Sequence, residues 1–366
     1  MRILYLLNRV QKGSIGHVLH GNANDDHLYG MLRLREFSGP DGKKIETDYA
    51  EIERSWPAWL ARIVRDKILN VYWVHAPLFF SFLRYDVVFT STAFGSQFIW
   101  ALWPFKKPKW VMLDFSITGF LGKEKTRKQK FFRFLVKRAD GIVTISEKEK
   151  ELLEKRFPEK KGSIEFVRFG VDTEFFKPKE GHEEKDMIFC PGRDPGRDFR
   201  TLFDAARGLN HDVVVTTRPW TLKKLGVLPH YVKHKDLNSR EFMEEFISAK
   251  VVVIPLNLGG GANDAMGCSS LVEAMAMGKA VIATRTPTTE SYITDGENGL
   301  LVPSHDVEAL RDAMERLMHD KGLREKLGKK AREFAVKECS SKAWAGHLAA
   351  YFSHIMASKM SPKGQK

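Results

Sequence analysis

The sequence predicts an α/β protein built of two Rossmann-like, doubly wound units that face one another across a cleft. Three observations lead there. Short, near-continuously apolar runs alternate with helix-length segments, the pattern of parallel strands covered on both faces by helices. The alternation occurs twice, on either side of a polar, lysine- and glutamate-rich break, "KPKEGHEEKD" at 177–186. The length, 366 residues, exceeds what one ordinary core organises and suits two units.

In the first series, strands are expected at 2–7, 86–92, 109–115, 141–146 and 163–169, with helices at 59–69, 95–103 and 126–138. In the second, strands are expected at 187–190, 212–218, 231–234, 251–256, 280–284 and 299–303. Helices at 199–209, 239–248, 269–278 and 306–318 fill the gaps. The stretch 321–358 reads as helical throughout and is long enough to cross back over the cleft. The expected division is a first unit at 1–178, a second at 187–338, and a returning helix with a polar tail at 339–366.

With 43% hydrophobic and 29% charged residues the composition is that of a soluble globular chain rather than a disordered one. Three widely spaced cysteines, Cys190, Cys268 and Cys339, support neither a disulfide framework nor a metal knuckle and fit a reduced, cytoplasmic setting. The opening "MRILYLL" is too short for a signal peptide's apolar region and reads as a buried strand. The longest other apolar run, "WVHAPLFFSFL", is broken by His75 and Pro77 and is too short to span a bilayer. A net charge of +13, concentrated in residues 1–178, implies an anionic partner: nucleic acid, a phosphorylated substrate or an anionic lipid surface.

In open α/β sheets ligands gather beyond the carboxyl ends of the strands. The loops expected there are "NRVQKGSIGH" (8–17, containing Gly16), "PGRDPGRD" (191–198) and "GGGANDAMGCSS" (259–270). Arg193 and Arg197, on a Pro- and Gly-shaped loop before a helix, are placed to clamp a diphosphate with their forked donors. The alternative is a pair of surface arginines bound to Asp194 and Asp198. In the third loop, glycines including Gly267 let backbone approach a ligand, while Ser269 or Ser270 is read as capping a helix that runs to Met277. Its amides would face a phosphate. Glu273, one turn in, reads by itself as a solvated helix residue, but its neighbours Ala274, Met275, Ala276 and Gly278 make the segment buried, so its carboxylate needs a partner, such as the hydroxyls of a ribose.

These residues resemble a family. "EAMAMGKAVIAT" followed by "TESYITDGENGLLVP" is similar to the C-terminal signature of retaining glycosyltransferases of the GT-B type, family four, which transfer sugars from nucleotide donors. The resemblance extends through "ADGIVTISEKEKELLEKRF", "FGVDTEFFKP" and "PGRDPGRDFRTLFDAA", in the family's own order, from about 139 to 303. It implies that Arg193 and Arg197 bind the donor diphosphate, where the family usually has a lysine as the second base. It implies that Glu273, matching the second glutamate of the family's pair, holds the ribose. The first glutamate is replaced by Ala265, and its contact to the sugar would pass either to Asp264, the nearest carboxylate, or to backbone amides of the Gly-rich loop. Thr288, Thr289 and Glu290 fall where a family loop meets the nucleotide, with Glu290 the structural member.

In the first unit the match is poorer. Where the family keeps a histidine after the strand at "KWVML", this chain has Asp114, read as a sugar contact or proton acceptor, or else as a turn residue. His17 and His75 are weaker candidates. The resemblance implies transfer of a hexose-type sugar with retained configuration from a UDP- or GDP-linked donor, with arginines and helix-end amides stabilising the leaving phosphate. This chemistry implies that no metal is required and no cofactor is expected; consistent with that, no Asp-x-Asp cluster or His and Asp spacing suits a nucleotide-bound ion.

The expected acceptor is a glycan or a lipid-linked molecule. Trp56, Trp59, Leu60, Ile63, Val64 and Ile68 share one helical face, with Arg62, Arg65 and Lys67 elsewhere, and "WALWPFKKPKW" and "GKEKTRKQKFFRF" mix aromatics with lysines. Aromatic plus basic is how a peripheral protein meets the inner, anionic face of a membrane. The plainer alternative is that these faces pack on the sheet. Other functions stay open: a sugar-nucleotide epimerase or a phosphorylase on the same architecture, a homologue that binds a nucleotide sugar without transferring it, suggested by Ala265, and a basic nucleic-acid-binding protein. Against the last stands the lack of a groove-reading motif.

Overall fold

The apolar run 2–7 becomes β1 (Arg2–Leu7), buried from Ile3 onward, and it pairs in parallel on both sides. The computed structural model describes residues 1–7, 12–51, 76–91, 94–103, 108–115, 117–122, 126–179, 181–192, 196–258 and 265–357. Contacts divide the chain into two units, Met1–Val167 with Trp344–Lys366, and Arg168–Ala343. Each has, among the described residues, one six-stranded sheet whose pairings are all parallel.

In the first unit the order is β2-β1-β3-β4-β5-β6, with β2 Glu46–Glu51, β3 Val87–Thr90, β4 Lys109–Asp114, β5 Gly141–Thr144 and β6 Ile164–Phe166. The sequence pattern misses β2 because "ETDYAE" has no apolar run. It is an edge strand, fixed by the Thr47 hydroxyl, which donates to Met31 O at 2.9 Å and accepts from Arg35 Nε at 2.8 Å. The connecting helices are α1 (Lys12–Leu19), α2 (Phe94–Leu102), α3 (Ile117–Leu121), α4 (Arg127–Arg138) and α5 (Glu147–Arg156). The helix expected at 59–69 lies outside the described residues. Helix α4 starts on a capping box, Thr126 with Gln129, and buries Phe132, Leu135 and Val136 against the sheet.

The second sheet runs β12-β11-β10-β7-β8-β9: β7 Lys185–Cys190, β8 Asp212–Val215, β9 Val232–His234, β10 Ala249–Ile254, β11 Ala280–Thr284 and β12 Leu300–Val302. Its helices are α6 (Phe199–Ala206), α7 (Pro219–Leu225), α8 (Ser239–Ser248), α9 (Cys268–Ala276), α10 (Val307–His319) and α11 (Lys321–Glu338). Helix α10 shows why the pattern was readable: Leu310, Ala313, Met314, Leu317 and Met318 recur on one face and all are buried. Helix α11 comes so close to the turn after α9 that a β-carbon on Gly328 would collide with the Gly278 carbonyl.

The stretch 321–358 is two helices rather than one. It breaks at Cys339–Ser340, where the backbone turns aside to Val171: Val171 N donates to Cys339 O at 2.9 Å and Ser341 N donates to Val171 O at 2.8 Å. Helix α12 (Ser341–Ala357) then completes the first unit with buried Trp344, Leu348, Phe352 and Ile355. Its Tyr351 hydroxyl donates to Ser163 O at 2.6 Å and accepts from the Ile142 amide at 2.9 Å, tying it to β5. Burial pushes the Tyr351 phenol far above its ordinary pKa. The division between units falls ahead of the polar 177–186 break because Phe169 is already bonded within the second unit, its amide donating to Tyr292 Oη at 2.9 Å.

Candidate functional site

In the second sheet the chain builds outward in opposite directions from β7: β8 and β9 lie on one side, β10, β11 and β12 on the other. The switch point is therefore between β7 and β10, the position at which open α/β sheets receive ligands. The two loops the sequence singled out, 191–198 and 259–270, follow these two strands.

The loops are stitched together. Asp198 N donates to Pro255 O at 3.0 Å and Asn257 N to Gly196 O at 2.9 Å, so Arg197 pairs with Leu256 across a short antiparallel bridge. Leu256 N donates to Thr284 Oγ1 at 2.8 Å, and Ser304 Oγ to Leu256 O at 3.3 Å, which adds the ends of β11 and β12. Thr216, beyond β8, accepts from the Gly192 amide at 3.0 Å.

Arg197 is 5% exposed, its Nε donating to Pro191 O at 3.0 Å. Its guanidinium lies in a slot between two glycine backbones at positive φ, Gly192 (114°) and Gly267 (83°). A β-carbon on Gly267 would stand 2.5 Å from Arg197 Nη1, so only glycine leaves the slot open. Gly267 is also the N-cap of α9, with no side-chain cap. The expectation that Ser269 or Ser270 caps this helix is corrected: both lie inside its first turn, Ser269 exposed and Ser270 buried. The left-handed cap residue is the one whose missing side chain admits the arginine.

This juxtaposition has an electrostatic consequence. The amino end of a helix carries partial positive charge, and a guanidinium beside it is repelled. An anion set there answers both at once.

Glu273 is 9% exposed on α9. Its carboxylate is felt by Cys268: burial, the largest influence, pushes that thiol up to about 12, a hydrogen bond with Tyr292 opposes this and Glu273 adds to it. Cys190, at the end of β7, is likewise pushed up to about 12 by burial, against the pull of Arg197. Both thiols are neutral. Leu271 is fully buried, and Ala265 is 8% exposed. Thr288 and Thr289 are buried, Thr289 Oγ1 donating to Thr284 O at 2.7 Å, while Glu290 pairs with Arg285 at 3.3 Å.

Arg193 and Asp264, with His75, lie outside the described residues. In the first unit, Asp114 ends β4 fully buried and its Oδ1 accepts from the Ile117 amide at 2.6 Å. Gly16 and exposed His17 sit in helix α1 rather than in a loop. Among the described residues no three His, Cys, Asp or Glu side chains stand together as metal ligands. No helix among them is long and apolar enough to cross a membrane.

One pair escaped the sequence reading. Asp198 caps α6, accepting from Thr201 N at 3.2 Å, and its other oxygen meets His305 Nδ1 at 2.8 Å. His305 holds a left-handed backbone, φ 61°, just beyond β12, at the same sheet edge. The available signal was its place: "PSH" follows a strand as the other loops do.

Comparison with known proteins agrees with this arrangement. A model of "Glycosyltransferase Family 4" matches residues 35–175 and one of "Glycosyl transferases group 1" matches residues 222–334. A D-inositol 3-phosphate glycosyltransferase of Corynebacterium diphtheriae is 26% identical over 240 residues, 55% of this chain and 53% of that protein, so the match spans about half of the relative's length. Among solved structures, Anabaena HepE in complex with UDP and glucose superposes with a TM-score of 0.68 at 15% identity, covering 96% of this chain and 99% of that one. A sucrose-phosphate synthase from Thermosynechococcus elongatus does so with a TM-score of 0.70 at 16% identity, over 98% and 99%. With two parallel-sheet units and matches to one family model in each half, the chain belongs to the family-4 glycosyltransferases of the GT-B fold.

Proposed function

We propose that the chain is a retaining, metal-independent glycosyltransferase that moves a hexose-type sugar from a UDP- or GDP-linked donor to a glycan or lipid-linked acceptor. The observation that carries this reading is the Arg197 guanidinium held against the uncapped amino end of α9. A diphosphate there meets forked donors and backbone amides fixed before the reaction begins, and both strengthen as charge grows on the departing phosphate. Arg193 is assigned as the second base of the clamp. Glu273 is assigned to the ribose, and Gly267, Ser269, Ser270 and Leu271 to the backbone that meets the nucleotide. Asp264 is assigned to the donor sugar in place of the glutamate that Ala265 replaces, and Gly16 and Asp114 to the first unit's part in holding sugar or acceptor. That a solved neighbour is a complex with UDP and glucose supports a nucleotide-sugar donor.

The test is a thermal-shift panel of UDP-, GDP-, ADP- and CMP-linked sugars. A ligand at about 100 times its Kd adds about 2.7 kcal/mol to the folded state. One base is expected to raise the Tm well above the others, and no shift with any of them overturns the proposal. Incubation of that sugar nucleotide with glycan acceptors then separates an enzyme from a silent binder, the reading that buried Ala265 favours. Glu273→Gln is expected to weaken binding of the responding nucleotide about tenfold or more, the loss of a charged acceptor to a hydroxyl. Calorimetry with the free nucleoside diphosphate checks it, and an unchanged Kd removes Glu273 from the ribose.

A further inference from the structure

Helix α4 has the sequence "RKQKFFRFLVKR", six basic residues and no carboxylate. Its inner face is Phe132, Leu135 and Val136; its outer face carries Arg127, Lys130, Lys137 and Arg138 in solvent, with Phe131 and Phe134 half-buried among them. The aromatics do not end there. Phe98 of α2 packs on both, ring centroids 5.4 Å from Phe131 and 5.7 Å from Phe134, and is itself 37% exposed. One turn further on, Leu102 is 60% exposed, and beside it Trp103 stands edge-on to Phe80 at 6.0 Å. Phe80 is 72% exposed and Leu83, on the same 3₁₀ segment, 47%. A strip of large apolar side chains thus runs along the first unit from Leu83 to Phe131, flanked by the cations of α4.

Both halves of this surface are costly as they stand. Exposed Phe and Leu in a contiguous strip call for cover, and cations gathered on one helix repel each other. Some of that charge is answered within the protein: Lys137 pairs with Glu159 at 3.5 Å, and the Arg138 guanidinium lies over the Phe134 ring at 5.4 Å. Arg127 and Lys130 point away from the sheet in solvent. A partner that offers apolar volume beneath a plane of negative charge satisfies the strip and the cations together, and an acidic protein face rarely offers both over such an extended line.

We propose that the α2–α4 face of the first unit, with the Phe80–Leu83 segment, docks on the surface of an anionic phospholipid bilayer, its aromatics entering the headgroup boundary and α4 lying over the phosphates. Such docking presupposes the lipid-linked acceptor proposed above. Vesicle binding and nucleotide binding are measured separately, so either can fail alone.

The experiment is co-sedimentation of the full chain with phosphatidylcholine vesicles that contain about one-third phosphatidylglycerol, with pure phosphatidylcholine as the control. The chain is expected to pellet with the anionic vesicles, to stay in solution with the neutral ones, and to be released by high salt. Arg127→Glu with Lys130→Glu puts acids in the first turn of α4, where the helix dipole favours them, so the fold is kept. This double variant is expected to lower the partition at least about tenfold. Leu102→Ser with Phe80→Ser, at exposed positions, is expected to lower it without changing the salt dependence. In both, the thermal shift given by the responding nucleotide reports an intact second unit. Failure of the unaltered chain to pellet, or pelleting of both double variants at its level, overturns the proposal. So does a salt-resistant dimer in sedimentation equilibrium that Leu102→Ser with Phe80→Ser dissolves, because the strip is then covered by a second copy.

Discussion

Arg197→Ala is expected to raise the Kd for the responding nucleoside diphosphate roughly 30- to 1,000-fold, about 2–4 kcal/mol, the cost of losing a buried charged partner of an anion. The size of the effect follows from how the guanidinium is held. It is 5% exposed, one nitrogen is committed to Pro191 O, and the rest lies in the slot between Gly192 and Gly267, so its removal takes a charge from a buried, preformed position. Arg197→Lys keeps a charge and loses the fork, and an intermediate loss of about tenfold is expected. Gly267→Ala approaches the same contact from the other side: a methyl group 2.5 Å from Nη1 must displace the arginine, at a position whose φ of 83° already disfavours a side chain. Titration calorimetry measures all three. Melting curves without nucleotide distinguish a lost contact from a damaged fold. Unchanged affinity in Arg197→Ala would take the diphosphate away from this loop.

Gly328→Ala is expected to destabilise the second unit by about 2–3 kcal/mol, the cost of overpacking a tight contact. In an exposed helix the same change adds up to about 1 kcal/mol, because alanine is the better helix former. The sign reverses here because a β-carbon at 328 would collide with the Gly278 carbonyl, and that turn sits between α9 and β11. Separating them disturbs the helix that carries Glu273. Urea denaturation followed by circular dichroism reads the effect, and a gain in stability would mean that α11 has room to move away.

How far such contacts can be anticipated depends on whether their cause is local. The strands of the second unit were legible because each is a short apolar run closed by a turn, and "AVIAT" coincides with β11. β2 was not, since "ETDYAE" is held by tertiary bonds from Arg35 and to Met31. Helix α1 reads as loop in the sequence because its two glycines and polar start leave only Ile15, Val18 and Leu19 to mark a helical face. The cap of α9 went to Gly267 rather than a serine because local capping chemistry gave way to the space Arg197 needs. Arg197 and Glu273 stood out as charges set among glycines and small apolar residues. The Asp198–His305 contact left no such trace: the two residues are far apart in sequence and are brought together by the sheet order.

The return of helix α12 to the first unit sets an order of events during synthesis. Residues 168–343 form a continuous unit and can close as soon as they clear the ribosome, whereas the amino-terminal unit still lacks Trp344, Leu348, Phe352 and the Tyr351 anchor until residues 344–357 have been made. The usual vectorial sequence, first domain first, is thereby inverted. A nascent chain arrested before residue 344 should carry a finished second unit behind an unfinished first.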